Sequence, residues 1–451
     1  MKINFSKNLI SLAKSLDKPL YAVGGVVRNF LIDGSFSVDV DLASANTAEQ
    51  LIEKLGDFGF DVLAEYKRTG TVVFSDKNQK YEYTSFRRES YLSGGAHTPD
   101  KVEYTSDMKE DALRRDFTCN ALYCDVITGE IFDPLGKGVA DVEEKRLDTV
   151  TDPEKVFCSD GLRLMRLARF SAELDFTPTE DVLNSAKMYA DNIKDISPER
   201  IYAELNKILC ADERYPFSNK AGHYQGIKIL DQTRVLDRIF PDLAKGRGMA
   251  QRADYHNFDV LEHGLKCLLY APKNIRLAAL LHDVGKAECM EVDKNFYRHA
   301  EVGERKAITA LKRLKADKKT IEQVAFLTKW HMLDMDGKMR EQKLRLFFVK
   351  NARYFEDLLS IKQADYKACK EQEGTAKTVE KWLALMDKMK GDGTPFSLKD
   401  LKISANDLME IGYRGKEIGK ELSSLFDFAV CNAKENERER LLNRAKKDYK
   451  R

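Results

Sequence analysis

Residues 24–44 read GGVVRNFLIDGSFSVDVDLAS: two glycines and an arginine, then, a dozen positions on, two aspartates separated by one valine. In SVDVDLA, Val38, Val40 and Leu42 alternate with Ser37, Asp39 and Asp41. On a β-strand successive side chains point to opposite faces, so the spacing predicts one apolar face and one face carrying both carboxylates. Residues two apart on one strand face lie about 6–7 Å from each other. Two carboxylates at that spacing can share divalent cations about 3.5–4 Å apart, as in two-metal phosphoryl transfer. Gly24-Gly25, directly after the apolar LYAV, lets backbone approach a polyphosphate closely, and Arg28 follows on the next helix within reach of the same phosphates. A lone DxD is common and is often only an exposed strand face; a GGxxR ahead of it is far more specific.

The rest of the chain is read around that stretch. At 451 residues it is too long for one core and is expected to hold several domains. Hydrophobic residues make up 43% and charged residues 33%, the balance of a soluble, helix-rich protein. No apolar run approaches the roughly 18 residues that cross a membrane. The N-terminal MKINFSKNLISLAKSLDKPL is amphipathic without a signal-peptide core. The eight cysteines are scattered and form no CxxC pair, which points to the reducing cytoplasm and away from a cysteine zinc site. Net charge is only +2, so a nucleic-acid partner would be held by a local basic surface.

Up to about residue 145, short β-rich runs (YAVGG, SVDVDLA, GTVVFS, KYEYTSF) alternate with helical ones. After about residue 150 the strands are expected to disappear. Asp152 reads as an N-cap and Pro153 as the first residue of a helix. Helical breaks are expected near Ser197-Pro198, Gly246–Gly248 and Gly391–Pro395. The expected fold class is α+β, an α/β head followed by a long helical remainder.

Four further stretches, with the opening one, carry a resemblance. They are SFRRESYLSGGAHTPDKVEYT (85–105), LRRDFTCNAL (113–122), SDGLRLMRLARFSAELDF (159–176) and SPERIYAELNKIL (197–209). In order and spacing these are similar to the class II CCA-adding tRNA nucleotidyltransferases and bacterial poly(A) polymerases. The resemblance implies a polymerase-β-like palm in the head. It gives the four stretches the roles of flexible loop, ribose-recognition motif, nucleotide-selecting helix and supporting helix. It also implies that Arg115 and Asp116 contact the sugar. Asp160 and Arg163, three apart and expected on one helix face, would offer acceptors and a planar donor fork that mimic a base edge. Arg166 and Arg169 follow on the same helix, and the C-terminal ERERLLNRAKKDYKR is basic, as phosphate contacts to RNA require. DLMEIGYRGKEIGKELSSLF (407–426) resembles the family's C-terminal body. Two positions depart from the family pattern: Ser159 stands where Glu is usual and Asn29 where Asp is usual. Glu82, on KYEYTSF, is a candidate third acidic group, equally readable as an exposed strand residue.

A second constellation spans 256–365, where five of the seven histidines fall. His263, His282-Asp283, His299, His331 and Asp365 follow in the order and spacing of an HD domain, which they resemble. His and Asp suit a magnesium or transition-metal site. The expected ligands are His263, His282, Asp283 and Asp365, with His299 and His331 at or just outside the first shell.

The expected domains are therefore a nucleotidyltransferase head (1–145), a helical neck (146–245), an HD domain within the body (246–370) and a helical C-terminal body and tail contacting tRNA (371–451). The expected activity is untemplated addition of C, C and A to the tRNA 3′ end from CTP and ATP. Mg2+ would be held by Asp39 and Asp41, and the nucleotide by Gly24, Gly25, Arg28, Arg115, Asp116, Asp160, Arg163, Arg166 and Arg169. Alternatives are an A-adding enzyme or poly(A) polymerase, or an HD-type phosphohydrolase with an RNA-binding head. A cytoplasmic location is expected, with no membrane and no obligate protein partner.

Overall fold

The computed structural model describes residues 2–35, 39–76, 79–90 and 101–449, without the side chains of Asp39 and Ser90. Residues 91–100 of the expected flexible loop, and Ser37 and Val38 of the expected DxD strand, lie outside the described residues. The chain forms two compact units, Met1–Ala244 with Arg313–Ala316, and Lys245–Lys312 with Asp317–Arg451.

The first unit is built on a seven-stranded sheet. Its strands are β1 (Leu20–Val23), β2 (Asp39–Ser44), β3 (Asp61–Tyr66), β4 (Thr71–Ser75), β5 (Lys80–Ser85), then β8 (Tyr123–Asp125) and β9 (Ile131–Phe132), after a separate hairpin of β6 (Arg87–Ser90) and β7 (Lys101–Tyr104). The order is β3-β4-β5-β2-β1-β8-β9. Only β2 and β5 pair in parallel in this sheet. A parallel pair needs a crossover, and here it is the helix Ala48–Leu55 followed by the β3–β4 hairpin. That helix starts at a capping box: Thr47 Oγ1 accepts from Gln50 N, and Gln50 Oε1 accepts from Thr47 N at 2.8 Å.

Val40 and Leu42 are buried beside Tyr81 and Tyr83 of β5, as the alternation in SVDVDLA predicts. β3 is an edge strand with Val62, Leu63 and Tyr66 exposed, so its apolar residues mark no single buried face. It was not legible as a strand for that reason.

Asp152 caps the helix Pro153–Ser159, its carboxylate accepting from Glu154 N at 3.1 Å. One short strand does occur beyond residue 150: Thr177–Pro178 pairs in parallel with Arg146–Leu147. The buried helix Leu162–Leu174 packs against Pro198–Leu209 and Gly222–Gln232. In the last approach a Cβ on Gly226 would lie 3.0 Å from Ala172 Cβ and 3.3 Å from the Ala168 carbonyl.

The second unit is helical among its described residues. Val260–Tyr270, Arg276–Leu281, Lys318–Trp330 and Phe355–Lys370 pack together. Gly285 touches the start of His299–Arg313 so closely that a Cβ there would collide with the His299 carbonyl. Both tryptophans, Trp330 and Trp382, belong to this unit. A small core of Leu408, Tyr413, Leu425, Ala429 and Leu441 closes the C-terminal helices.

Candidate active site

A cleft of about 610 Å3 in the first unit collects Asp41 and all the expected nucleotide-binding residues: Gly24, Gly25, Arg28, Arg115, Asp116, Asp160, Arg163, Arg166 and Arg169. Asp41 lies on β2 directly across from Val23 of β1 and from Glu82 of β5, and Glu82 also lines the cleft. Two neighbouring carboxylates at the mouth of a Gly-Gly turn are the donor set a hard divalent cation prefers. Asp39 opens the same strand, two residues earlier, and its side chain lies outside the described set.

Gly24 sits at φ 73°, ψ −124°, just ahead of the helix Gly25–Asp33. A side chain there would be strained, and its Cβ would lie 3.5 Å from the Asn120 carbonyl and 4.0 Å from Asp41 Oδ2. The turn therefore needs glycine for its backbone, and it passes within van der Waals contact of Asp41. Arg28 is only 2% exposed. Its guanidinium donates to Asn29 Oδ1 at 2.9 and 3.1 Å, to Asn120 Oδ1, and to Tyr215 OH at 3.4 Å. Asn29, where the resembled family usually has Asp, thus orients this arginine without adding a negative charge.

The LRRDF segment is held from beneath by a residue not singled out in the sequence. Asp111, fully buried, accepts from Arg114 Nε at 2.7 Å, Arg115 Nη2 at 2.9 Å and Tyr123 OH at 2.6 Å. Burial alone would raise its carboxyl, but the charges of Arg115 and Arg114 hold it at about 2. Asp116 is opposed likewise: burial raises it, and Arg166 and Arg163 bring it down to about 2. Arg166 Nε donates to Asp116 Oδ2 at 2.6 Å, tying the LRRDF carboxylate to the helix 50 residues on.

The expected placement of Asp160 on one helix face with Arg163 is corrected by the structure. The helix stops at Ser159 and restarts at Leu162. Asp160 is extended, at φ −151°, ψ 109°, and its Oδ1 accepts from Leu162 N at 2.9 Å, capping the second helix. The signal was present in Ser-Asp-Gly before an apolar run, which is a helix start. Arg163 donates to Ser159 Oγ at 2.7 Å, to Val156 O at 3.3 Å and to Arg114 O at 2.5 Å. Ser159, which stands where the resembled family usually has Glu, thus contacts Arg163. Arg169 is fixed by Glu204 at 2.6 Å and Glu173 at 3.0 Å, with Phe170 against its guanidinium.

Arg68, Arg87, Arg114, Arg200, Arg214, Glu89, Asn120 and Tyr215 also line the cleft and were missed as site residues. They come from separate elements, and no local pattern joins them. Ten arginines and five carboxylates face the cleft among the described residues, a charge balance that suits a multiply charged anion.

In the second unit, all six expected His and Asp residues converge. Asp283 Oδ2 lies 3.1 Å from His282 Nε2 and 3.5 Å from His263 Nε2, while its Oδ1 lies 3.2 Å from His299 Nε2 and 3.5 Å from His331 Nε2. Asp365 Oδ1 is 2.9 Å from His263 Nε2 and 3.8 Å from His282 Nε2. His282, His299 and His331 each place Nδ1 2.7 Å from a main-chain carbonyl, of Ala279, Phe296 and Thr328. A proton held on Nδ1 by such a carbonyl leaves Nε2 free as a ligand. Burial pushes the His331 pKa down to about 4, keeping the ring neutral. Both oxygens of Asp283, both ring nitrogens of His263 and His282 Nε2 are buried without a hydrogen bond, although Lys286 Nζ approaches Asp283 Oδ2 at 2.6 Å. Buried polar atoms left in this state fit a cation.

Three segments of the chain match known family models. Residues 20–148 match the poly A polymerase head domain, residues 175–246 the "Probable RNA and SrmB-binding site of polymerase A", and residues 295–445 a tRNA nucleotidyltransferase domain 2. The chain is 35% identical over 249 residues to a CCA-adding enzyme of Bacillus pumilus, covering 54% of this chain and 56% of that one. It is 32% identical over 263 residues to one of Lactococcus lactis, covering 58% and 62%. The matched segments thus span less than two thirds of these relatives. Among solved structures, Bacillus stearothermophilus CCA-adding enzyme in complex with CTP superposes with a TM-score of 0.66 at 21% identity, covering 99% of this chain and 98% of that one. The Thermotoga maritima CCA-adding enzyme complexed with tRNA gives 0.64 at 17%, covering 98% and 94%. The fold is therefore that of CCA-adding enzymes, a mixed α+β nucleotidyltransferase head followed by a helical body and tail. The head-domain match and the curated relatives together support the CCA-adding enzyme and poly(A) polymerase family for this chain.

Proposed function

We propose that this protein adds C, C and A to the 3′ end of tRNA from CTP and ATP, without a nucleic-acid template. The observation that carries this reading is the single cleft in which Asp41, the Gly24 turn and the Asp160/Arg163 pair meet among ten arginines. Such a cleft accepts a nucleoside triphosphate and an RNA end together. Gly24 and Arg28 bind the triphosphate, Arg115 and Asp116 the ribose, and Asp160 and Arg163 the base edge. Mg2+ held by Asp39 and Asp41, with Glu82 across the strand, would supply a more acidic attacking 3′-hydroxyl and charge neutralisation for the leaving pyrophosphate. Arg28, buried and fixed by Asn29 and Asn120, orients the phosphates toward that face. The four-part division at 1–145, 146–245, 246–370 and 371–451, and a cytoplasmic location, belong to the same reading. No helix among the described residues is long and apolar enough to cross a membrane.

An A-adding enzyme or poly(A) polymerase would share all these groups, so the test is product length. Purified protein is incubated with tRNA transcripts lacking three, one or no terminal nucleotides and with each NTP in turn. CCA addition requires that the transcript lacking three accepts C, C and then A and stops. Growth beyond A, or acceptance of ATP alone, would replace the reading by one of the other two.

The paired approach of Asp283 to His263/His282 on one oxygen and His299/His331 on the other favours a second activity. We infer an HD-type metal site with His263, His282, Asp283 and Asp365 as ligands and His299 and His331 completing it. Its chemistry would be hydrolysis of a 2′,3′-cyclic phosphate or phosphomonoester, a lesion that blocks the attacking tRNA 3′-hydroxyl. Metal analysis of the wild-type protein, and assay with Mn2+, Ni2+ or Mg2+, tests it; no metal and no hydrolysis leaves a structural helical body.

A further inference from the structure

A third donor group borders the Asp283 cluster, and it contains sulfur. One ligand atom each of His256, His263 and Cys369 lies within 4.8 Å of the others. The two imidazoles meet edge to face with centroids 4.7 Å apart. His263 is fully buried and neither ring nitrogen makes a hydrogen bond; His256 Nδ1 is in the same state. The arrangement is set by the backbone. Asn257 N donates to Cys369 O at 3.0 Å, and Lys370 Nζ donates to Asp254 O at 2.7 Å. These bonds fasten the segment before Val260–Tyr270 to the last turn of Phe355–Lys370. Cys369 Sγ stands 3.9 Å from Asp365 Oδ1, one turn earlier on that helix.

We propose that His256, His263 and Cys369 form a thiolate-containing cation position that takes zinc. Two imidazoles and one thiolate match zinc in ligand type, while Mg2+ prefers oxygen donors throughout. On binding, Cys369 gives its proton to solvent and the thiolate coordinates; no electron is transferred. His263 belongs to both donor groups, so a zinc ion here draws on an imidazole that the Asp283 site also uses. Zinc thereby acts on the body through a ligand set different from the one that would carry hydrolysis.

The test is spectroscopic and independent of nucleotide addition. Metal-free full-length protein is titrated with Co2+, whose bond to a thiolate gives a near-ultraviolet charge-transfer band that nitrogen and oxygen ligands do not. The expected result is a saturable band that zinc displaces, lost in Cys369→Ser and His256→Gln and kept in Cys267→Ser and Asp283→Asn. The half-buried His256 makes His256→Gln the deciding variant should Cys369→Ser fold poorly by circular dichroism. Absence of the band in the wild type, or its survival in either variant, overturns the site. Its loss in Asp283→Asn overturns a separate position and merges it with the Asp283 cluster, and failure of zinc to displace cobalt overturns the choice of metal.

Discussion

The head cleft and the His/Asp cluster of the body handle charge in opposite ways. In the cleft, cations outnumber anions, and those traced above are held by fixed partners: Arg28 by Asn29 and Asn120, Arg115 by Asp111, Arg166 by Asp116, Arg169 by Glu204. Binding groups already locked in place cost little ordering when a ligand arrives. In the body cluster, imidazoles surround Asp283, whose buried oxygens make no hydrogen bond. The first arrangement waits for an anion from outside, and the second is incomplete without a cation inside. The two can therefore be broken separately.

The largest expected effect is a double dissociation. Asp41→Ala should lower nucleotide addition about a thousandfold or more, since loss of a carboxylate that would hold the catalytic Mg2+ would remove about 4 kcal/mol of transition-state stabilisation. Asp283→Ala should leave addition within about twofold while abolishing any body hydrolysis. Steady-state rates of both reactions on both variants check this; addition failing in Asp283→Ala would erase the contrast. Next comes metal removal. Both tryptophans lie in the second unit, so their emission follows that unit. Chelation should lower its thermal midpoint, with a loss of about 2.7 kcal/mol of stability if the free metal had been at a hundred times its dissociation constant. An unchanged tryptophan transition would leave the body cluster without a cation.

A pH series should then single out the head. Asp111 and Asp116 each have folded pKa values of about 2 against an ordinary 3.8. A lowered folded value gives stability that is present above about pH 4 and lost as pH falls through about 2, worth about 2 kcal/mol apiece. Urea midpoints by circular dichroism should show a gap between wild type and Asp111→Asn that closes over that range, with no matching change in tryptophan emission. A gap constant with pH would mean that packing, not charge, fixes LRRDF. The smallest effect is at Ser159, whose hydroxyl accepts from Arg163. Ser159→Ala should relax discrimination against UTP and GTP about fivefold, the worth of one hydrogen bond of about 1 kcal/mol. Asp160→Ala and Arg163→Ala should relax it further. Unchanged misincorporation in all three would reduce Asp160 to a helix cap.

Legibility followed how local each cause was. The β2 pattern was readable because alternation is a two-residue property, and Val40 and Leu42 are buried as it requires. The Asp152 cap and the 197–198 break were readable from single residues. The pairing of Asp41 with Glu82 was not, because register between strands forty residues apart leaves no mark on either. Asp111 escaped notice for a related reason: an acidic residue in a short helix reads as surface until Arg114, Arg115 and Tyr123 are seen to fold over it. The His and Asp residues of the body were legible as a set, and Cys369 was passed over because its partners His256 and His263 lie a hundred residues away.

The parallel pairing of β2 with β5 also has a consequence in time. Hairpins such as β3–β4 close over a few residues, but β2 can meet β5 only after the whole intervening crossover has formed. Loop closure of that length comes late and is slow relative to local structure. The carboxylate face therefore closes later than the β3–β4 hairpin, while the β1–β8 pairing of Tyr21 with Asp125 spans a longer separation still. Destabilising the Thr47–Gln50 cap would delay closure of the carboxylate face while touching no residue of the cleft.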